Sequence, residues 1–443
     1  MFRSPRRLFF RRAPQSSALA LPQVALGAPL LNRARPMPAV AFALLAFAAL
    51  EISPVPATTA LWATPAILFA AMVIAWGAES AQFFIAQGFA LAILAWLQTL
   101  PEFAVEAVLA WKQQVPLLLA NLTGALRLLT GLGWPCIYAA AAFMQRRRHK
   151  RPLRLIQLDQ EHAVEVAGLL APLIYMFWVW WKSSLGVVDA VVLIVLYVAY
   201  LWLLSHLPPE DQESIDELDV IPRTVVNAPP VVRTLAIFAL FAIGGGLIYI
   251  SAEPFLGSLL AVSTMIGVPT FVFVQWIAPF VSEFPETVSA INWARTVDKA
   301  PMALMNMVSS NINQWTLLPA MLVAVFCWSH GAAVSIPFDN QQELELLMTL
   351  GQALVAMSFL MSMSLAWWEA LALFALWFLQ MALSPLQGAE GIWGVLAHNV
   401  NWAVTAAYFA WAAVALVRLL LKPSSAVAFT CFAHVWREHM RKR

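Results

Sequence analysis

Glu102 and Glu286 stand out because each follows a proline inside a long apolar stretch, in Leu100-Pro101-Glu102-Phe103 and again in Phe284-Pro285-Glu286-Thr287. Proline lacks an amide proton and suits the first position of a helix, so Pro101 and Pro285 are expected to start half-helices within the membrane. Each phrase then places a carboxylate in the first turn of such a half-helix. A carboxylate at bilayer depth is costly unless something cationic visits it, so two in a repeated setting imply a route for a cation. Carbonyls freed upstream of each proline, with Gln98, Thr99 and Ser282, are oxygen donors of the kind hard cations such as calcium prefer. Glu106 shares a helix face with Glu102, and Glu283 sits just before the second break.

Each phrase is followed by a second polar helix, and the two differ. Over 301–331, Asn306, Ser310 and Gln314 are spaced by four and line one face, flanked by Ser309, Asn311 and Asn313. That many hydrogen-bonding groups inside a span require neighbours or an aqueous cavity. Over 116–144 the comparable face carries Asn121, Ala125 and Leu129, and is much drier. Arg127 lies nearly opposite that face and is expected to form a structural ion pair with an intramembrane acid such as Glu106. The competing structural account is a Pro-Glu pair that merely kinks a helix near a loop, its acid reaching to water. Two occurrences in mirrored positions favour the cation site.

The elements that must position these residues are membrane helices. Of 443 residues, 61% are hydrophobic and 11% charged, with 20 Trp and 27 Phe, far from the balance of a soluble domain. At roughly 20 apolar residues per span the chain is expected to be all-α and polytopic, with about twelve spans: 38–54, 57–77, 82–111, 116–144, 163–181, 185–206, 231–251, 256–294, 301–331, 343–364, 365–384 and 398–421. Four of these are too long for one straight crossing, and they are the four that contain the polar phrases. A break or strong tilt in each absorbs the surplus.

Loop charges order the spans. With the N-terminus cytoplasmic, the run Arg146-Arg147-Arg148-His149-Lys150-Arg151, the pair Arg295 and Lys299, and the tail from Arg437 to Arg443 all fall on the same side, whereas the base-free loop from Phe338 to Glu343 falls outside. The helix carrying Glu102 then runs outward and the one carrying Glu286 inward, so the two halves are inverted, a common build for secondary transporters with binding at the midplane. The expected layout is a basic N-terminal tail over 1–35, an extra helix over 36–56, a first repeat over 57–206, an acidic cytoplasmic linker over 207–230, a second repeat over 231–384, an extra helix over 385–421 and a basic C-terminal tail over 422–443. The arginine-rich, acid-free leader reads as a cytoplasmic tail rather than a transit peptide. Cys136, Cys327 and Cys431 are far apart in apolar surroundings and read as small core residues.

These residues resemble the sodium/calcium exchanger family of the cation/calcium antiporter superfamily, whose two inverted repeats each carry a Gly-Thr-Ser-Leu-Pro-Glu-like break and a Gly-Ser-Asn-Ile-x-Asn/Asp-like helix. Here the breaks read Leu97-Gln98-Thr99-Leu100-Pro101-Glu102 and Val281-Ser282-Glu283-Phe284-Pro285-Glu286. The later second helix reads Ser309-Ser310-Asn311-Ile312-Asn313-Gln314, and Gly267 lies at a family-like distance before its break. The resemblance covers about 57–384 as two inverted five-helix repeats with broken helices at the midplane. By it, Glu102 and Glu286 are the central cation ligands; Glu283, a candidate ligand from its place beside the break, stands where the family pattern has a serine. Thr99, Ser282, Ser310 and Gln314 match auxiliary oxygen ligands, and Asn121 and Asn306 the asparagines that open each second helix. The chain departs from the pattern in the first repeat, where Gly124-Ala125-Leu126-Arg127-Leu128-Leu129 puts Ala125 and Leu129 at the ligating positions and Leu97 replaces a glycine, and in the second, where Glu283 replaces a serine. Fewer neutral oxygens and more carboxylates imply altered coupling, with protons in place of sodium.

The function so implied is a secondary active antiporter that exchanges calcium or a similar divalent cation for sodium or protons by alternating access. The rival is a degenerate member with a structural or sensing role. An enzyme is disfavoured, because no nucleophile–base pair or metal motif occurs and His434 and His439 lack the spacing of a zinc helix. They fit a basic amphipathic tail on the membrane surface. No cofactor is expected, and the expected partners are inorganic cations and membrane lipid, with no nucleic acid. The simplest location is a bacterial inner membrane with both termini cytoplasmic.

Overall fold

In the computed structural model the described residues are 55–84, 96, 97, 99–207, 215, 218–386 and 391–440. The basic N-terminal tail, the helix expected over 38–54, Gln98, most of the acidic linker and the last three residues lie outside them. Among the described residues nine helical segments are long and apolar enough to cross a membrane. Large apolar side chains such as Trp178, Val188, Phe238, Tyr249, Trp328 and Leu421 project outward. In water so much exposed apolar surface would drive aggregation, whereas on a bilayer it faces acyl chains and interfacial headgroups. The chain is an all-α, polytopic integral membrane protein.

The first half contains α1 (Ala60–Ala81), α2 (Leu100–Trp111), α3 (Val115–Leu128), α4 (Trp134–His149), α5 (Ala163–Trp181) and α6 (Val187–Leu204). The region expected as one span over 116–144 is a single rod in which α3 runs into α4 through a π-helical turn, Leu129–Gly133. After the short α7 (Val220–Val226) come α8 (Pro230–Ile266), α9 (Thr270–Ser282), α10 (Phe284–Ala294), α11 (Ala300–Trp315), α12 (Leu317–His330), α13 (Asn340–Leu360), α14 (Trp367–Leu383), α15 (Ile392–Leu421) and α16 (Val427–Val435).

One boundary corrects the sequence reading. The spans expected at 231–251 and 256–294 divide elsewhere, because α8 continues through Pro254 to Ile266. The stop is Gly267, in the left-handed region at φ +71°, followed by Pro269 ahead of α9. Glycine enters that region without strain and proline then prevents the helix from resuming in register. The polar helix over 301–331 also divides, at Thr316, between α11 and α12.

Small residues set the closest packing, as expected where the hydrophobic effect does not separate helix from lipid. α1 buries Ala63, Ala66, Ala70, Ala71 and Ala78 and packs along α8. α3 packs on α9, and a Cβ added at Gly124 would lie 2.1 Å from the carbonyl oxygen of Gln275. Four very short strands tie loops of the two halves together: β1 (Leu155–Gln157) pairs with β4 (Ser364–Ala366), and β2 (Ser184–Leu185) with β3 (Ile336–Pro337). In the C-terminal segment, α16 packs on α5 with Ala428 and Val435 buried, while Val427, Phe429 and Trp436 stay exposed.

Overpacking at the α3–α9 contact costs about 1–3 kcal/mol. Gly124→Ala is therefore expected to lower the thermal unfolding midpoint of the purified protein clearly, while Gly245→Ala, whose added methyl meets nothing within 4 Å, leaves it near that of the unaltered chain. Equal midpoints for both variants would contradict the close approach.

Candidate functional site

The two proline breaks have nearly the same backbone. Thr99 precedes α2 at φ −80°, ψ −4°, and Glu283 precedes α10 at φ −85°, ψ −5°. Pro101 and Pro285 sit in the first turn of their helices with Glu102 and Glu286 beside them. Each proline withholds the amide that would bond the carbonyl four residues earlier, Leu97 in one case and Val281 in the other. The second interruption spans a single residue, since the Glu283 amide still donates to Pro279 at 2.8 Å and the Thr287 amide to Glu283 at 3.0 Å.

Gln314, near the end of α11, joins the acids of the two halves. Its Nε2 donates to Glu102 Oε2 at 2.8 Å and to Glu283 Oε1 at 2.7 Å. One amide nitrogen serving two carboxylates holds α2 and the α9–α10 break side by side. Glu102 and Glu283 also contact each other, and Glu283 in turn meets Glu286, which lies against Ser310. Glu102 is 0% exposed, and Glu106 and Glu286 are within electrostatic range of it.

Among the described residues no Lys, Arg or His forms an ion pair with Glu102, Glu283 or Glu286. Burying charge without a counter-charge is severely unfavourable, so this cluster requires a proton or a cation that the side chains do not supply. Unsatisfied acceptors gather with it: Glu102 Oε1, Glu283 Oε2, both Glu286 oxygens and Gln314 Oε1 meet no hydrogen-bond donor among the described residues. Oxygen-only, mixed carboxylate and amide, is the donor chemistry of hard cations. No group of three or more His, Cys, Asp or Glu among the described residues is gathered closely enough to hold a metal ion by itself. The arrangement therefore relies on carboxylates together with amide and hydroxyl oxygens.

The remaining sequence-predicted residues divide. The Thr99 hydroxyl donates to the Trp96 carbonyl at 2.8 Å and that of Ser282 to Pro279 at 3.3 Å, so both keep oxygen lone pairs. Ser310 and Asn306 are buried on α11 with Gln314. Asn121 lies elsewhere: its Nδ2 donates to Glu106 at 3.0 Å, which couples α3 to α2 rather than to the Gln314 clamp. Ser309 bonds Tyr200 at 2.9 Å, away from that face. Arg127 does not pair with Glu106. Its Nη1 lies 2.5 Å from Glu345 on α13, since Asn121 has taken Glu106 and the opposite face of α3 meets α13. Sequence reasoning missed Glu345 and Gln352, although the polar positions 345, 349 and 352 fall on one helix face and were readable as such.

A cavity of about 100 Å³ lies alongside α10, lined by Glu79, Asp219, Pro285, Ser289 and Asn292 among others. Ser289 donates to Glu79 at 3.4 Å. The cavity reaches Pro285, the immediate neighbour of Glu286.

Apolar rods broken at depth around a shared oxygen cluster define a membrane transporter of cations. The sequence profile described as "Sodium/calcium exchanger protein" matches residues 55–205 and 236–385, and the chain belongs to that family of transporters, which are not enzymes. Among solved structures, one titled "Crystal Structure of H+/Ca2+ Exchanger CAX" is similar at 31% identity and a TM-score of 0.78, covering 92% of this chain and 98% of that one. The sodium-calcium exchanger NCX_Mj, soaked with Na+ and Sr2+, matches at 18% identity and a TM-score of 0.49, covering 73% of this chain and 96% of that one. No curated protein matches the chain.

Gln314→Leu and Glu283→Gln should be strongly non-additive in unfolding free energy. A hydrogen bond to a buried charged group contributes about 1.5–3 kcal/mol, so a double-mutant cycle is expected to return a coupling of that order. Simple additivity would show that the 2.7 Å bond does not form in the purified protein.

Proposed function

We propose that this protein exchanges calcium or a similar divalent cation for protons across the membrane by alternating access, with sodium as the competing choice of coupling ion. The observation that carries this reading is the Gln314 amide shared by Glu102 and Glu283, which unites carboxylates from distant parts of the chain in a buried cluster with unsatisfied oxygens. Glu102 and Glu286 act as the central ligands. Glu283, Thr99, Ser282, Ser310 and Gln314 add oxygens, and Asn306 supports them from the same helix. Asn121 takes part through Glu106.

Proton coupling is favoured by chemistry. Three carboxylates can exchange one divalent cation for protons without any further site, whereas sodium needs neutral oxygens that the first half lacks at Ala125 and Leu129, both fully buried in apolar packing. The 31% identity to a structure titled as an H+/Ca2+ exchanger supports the same choice. The cavity beside α10, with Glu79 and Asp219 on its wall, provides a negatively lined approach from one side. In this reading residues 57–206 and 231–384 are inverted repeats whose broken-helix units shift against the flanking rods. The protein resides in a bacterial inner membrane, and the basic loop at Arg146–Arg151 and both termini face the cytoplasm.

Purified protein in proteoliposomes tests the reading. A proton gradient directed outward, with the vesicle interior acid, should drive calcium accumulation and the reverse gradient should drive its release, and Glu102→Gln or Glu286→Gln should reduce both to background while leaving thermal unfolding and elution volume close to those of the unaltered protein. Normal transport by both neutral variants would remove the site assignment. Sodium dependence without proton dependence would replace the coupling ion. Saturable calcium binding absent from the unaltered protein would favour a structural or sensing role instead.

A further inference from the structure

Away from the acid cluster, a second buried charge system crosses the helices. Arg127 is 1% exposed and Glu345 2%, with Nη1 and Oε2 2.5 Å apart. Glu345 is also fully served by amides: Gln275 Nε2 donates to Oε2 at 2.9 Å and Asn401 Nδ2 to Oε1 at 3.1 Å. Gln352 donates to the Arg127 carbonyl at 3.0 Å and to Thr130 Oγ1 at 2.8 Å, and accepts from the Tyr408 hydroxyl at 3.3 Å. One system thus links α3, α9, α13 and α15. Of these, α9 leads directly into Glu283. α15, which supplies Asn401 and Tyr408, lies beyond the end of the family match at residue 385.

We propose that Arg127 is a resident cation: its guanidinium occupies Glu345 permanently, so that this buried carboxylate recruits no mobile ion, and the neutralised pair serves as the fixed anchor from which α9 presents Glu283. Several features support this assignment. A carboxylate already holding two amide donors and one cation has no reason to exchange partners, and breaking a buried pair by removing one member is far worse than replacing both. The close approach of α3 at Gly124 to the Gln275 backbone and side chain leaves the donor to Glu345 little room to move. None of the three Arg127 guanidinium nitrogens has a hydrogen bond of regular geometry among the described residues, and Glu345 is its ion-pair partner there through Nη1. Arg127 is in this account a positioning residue, and Asn401 and Tyr408 make the C-terminal helix α15 part of the working unit. The consequence for coupling rests on the antiport reading above, whereas the charge balance at Glu345 stands apart from it.

The test uses full-length protein carrying Arg127→Met, and Arg127→Met with Glu345→Gln. In detergent, the thermal midpoint of the single variant should rise as sodium chloride replaces choline chloride at constant ionic strength, because the stranded carboxylate now takes a mobile cation. The double variant and the unaltered protein should show no such rise. In proteoliposomes the single variant should lose calcium transport by about tenfold or more and the double variant should regain most of it, as expected when charge balance rather than the guanidinium itself is needed. A single variant insensitive to sodium, or a double variant as damaged as the single one, overturns the proposal. Should the single variant fail to fold, a folded and active double variant supports it and an unfolded one overturns it. An unaltered protein that moves no calcium would defeat the antiport reading, and the sodium dependence of the midpoint would still decide the role of Arg127.

Discussion

The structure depends on how negative charge is kept inside apolar packing. A single amide, that of Gln314, bonds Glu102 and Glu283 together, and without it two buried carboxylates from remote stretches of chain would face each other with no donor between them. Everything nearby is consistent with that requirement. The prolines place each acid in a first helical turn, where the helix terminus favours negative charge. The α11 helix is buried almost throughout, and its polar face is turned to the cluster rather than to lipid.

Two buried charge systems solve the same electrostatic problem in different ways. At Glu345 the counter-charge is covalent to the protein, Arg127, and both carboxylate oxygens receive an amide donor. At Glu102, Glu283 and Glu286 no basic side chain is paired and several oxygens lack donors. A site with its own cation has nothing to exchange, while one that must borrow its cation can bind and release it. The proposed exchange rests on that contrast, and the polar groups of the drier first half are Asn121, which bonds Glu106, and Arg127.

Much of this was legible because it is local. Proline acts on its own four-residue neighbourhood, so the starts of α2 and α10 and the placement of Glu102 and Glu286 could be read from single phrases. Helical spacing made the face of Asn306, Ser310 and Gln314 visible in the same way. Pairing across the fold was not legible. The sequence allows Arg127 to meet any intramembrane acid, and the choice of Glu345 over Glu106 depends on which face of α3 packs on α13 and on Asn121 having taken Glu106. Glu283 was visible only as an extra acid, and its contact with Glu102 emerges from the Gln314 bridge. The continuity of α8 past residue 251 was hidden because Pro254 and its neighbours look like a loop, while the effective stop, Gly267 before Pro269, lies further on.

The central claim is that Glu102, Glu283 and Glu286 form one cation site at the meeting of the two halves. Crystals soaked in manganese or strontium and measured for anomalous scattering test it most directly. The account predicts a peak between Glu102 and Glu286, at about 2.0–2.6 Å from carboxylate oxygens as hard-cation coordination requires. A peak confined to the cavity at Glu79 and Asp219, or none near these carboxylates at saturating metal, would contradict it.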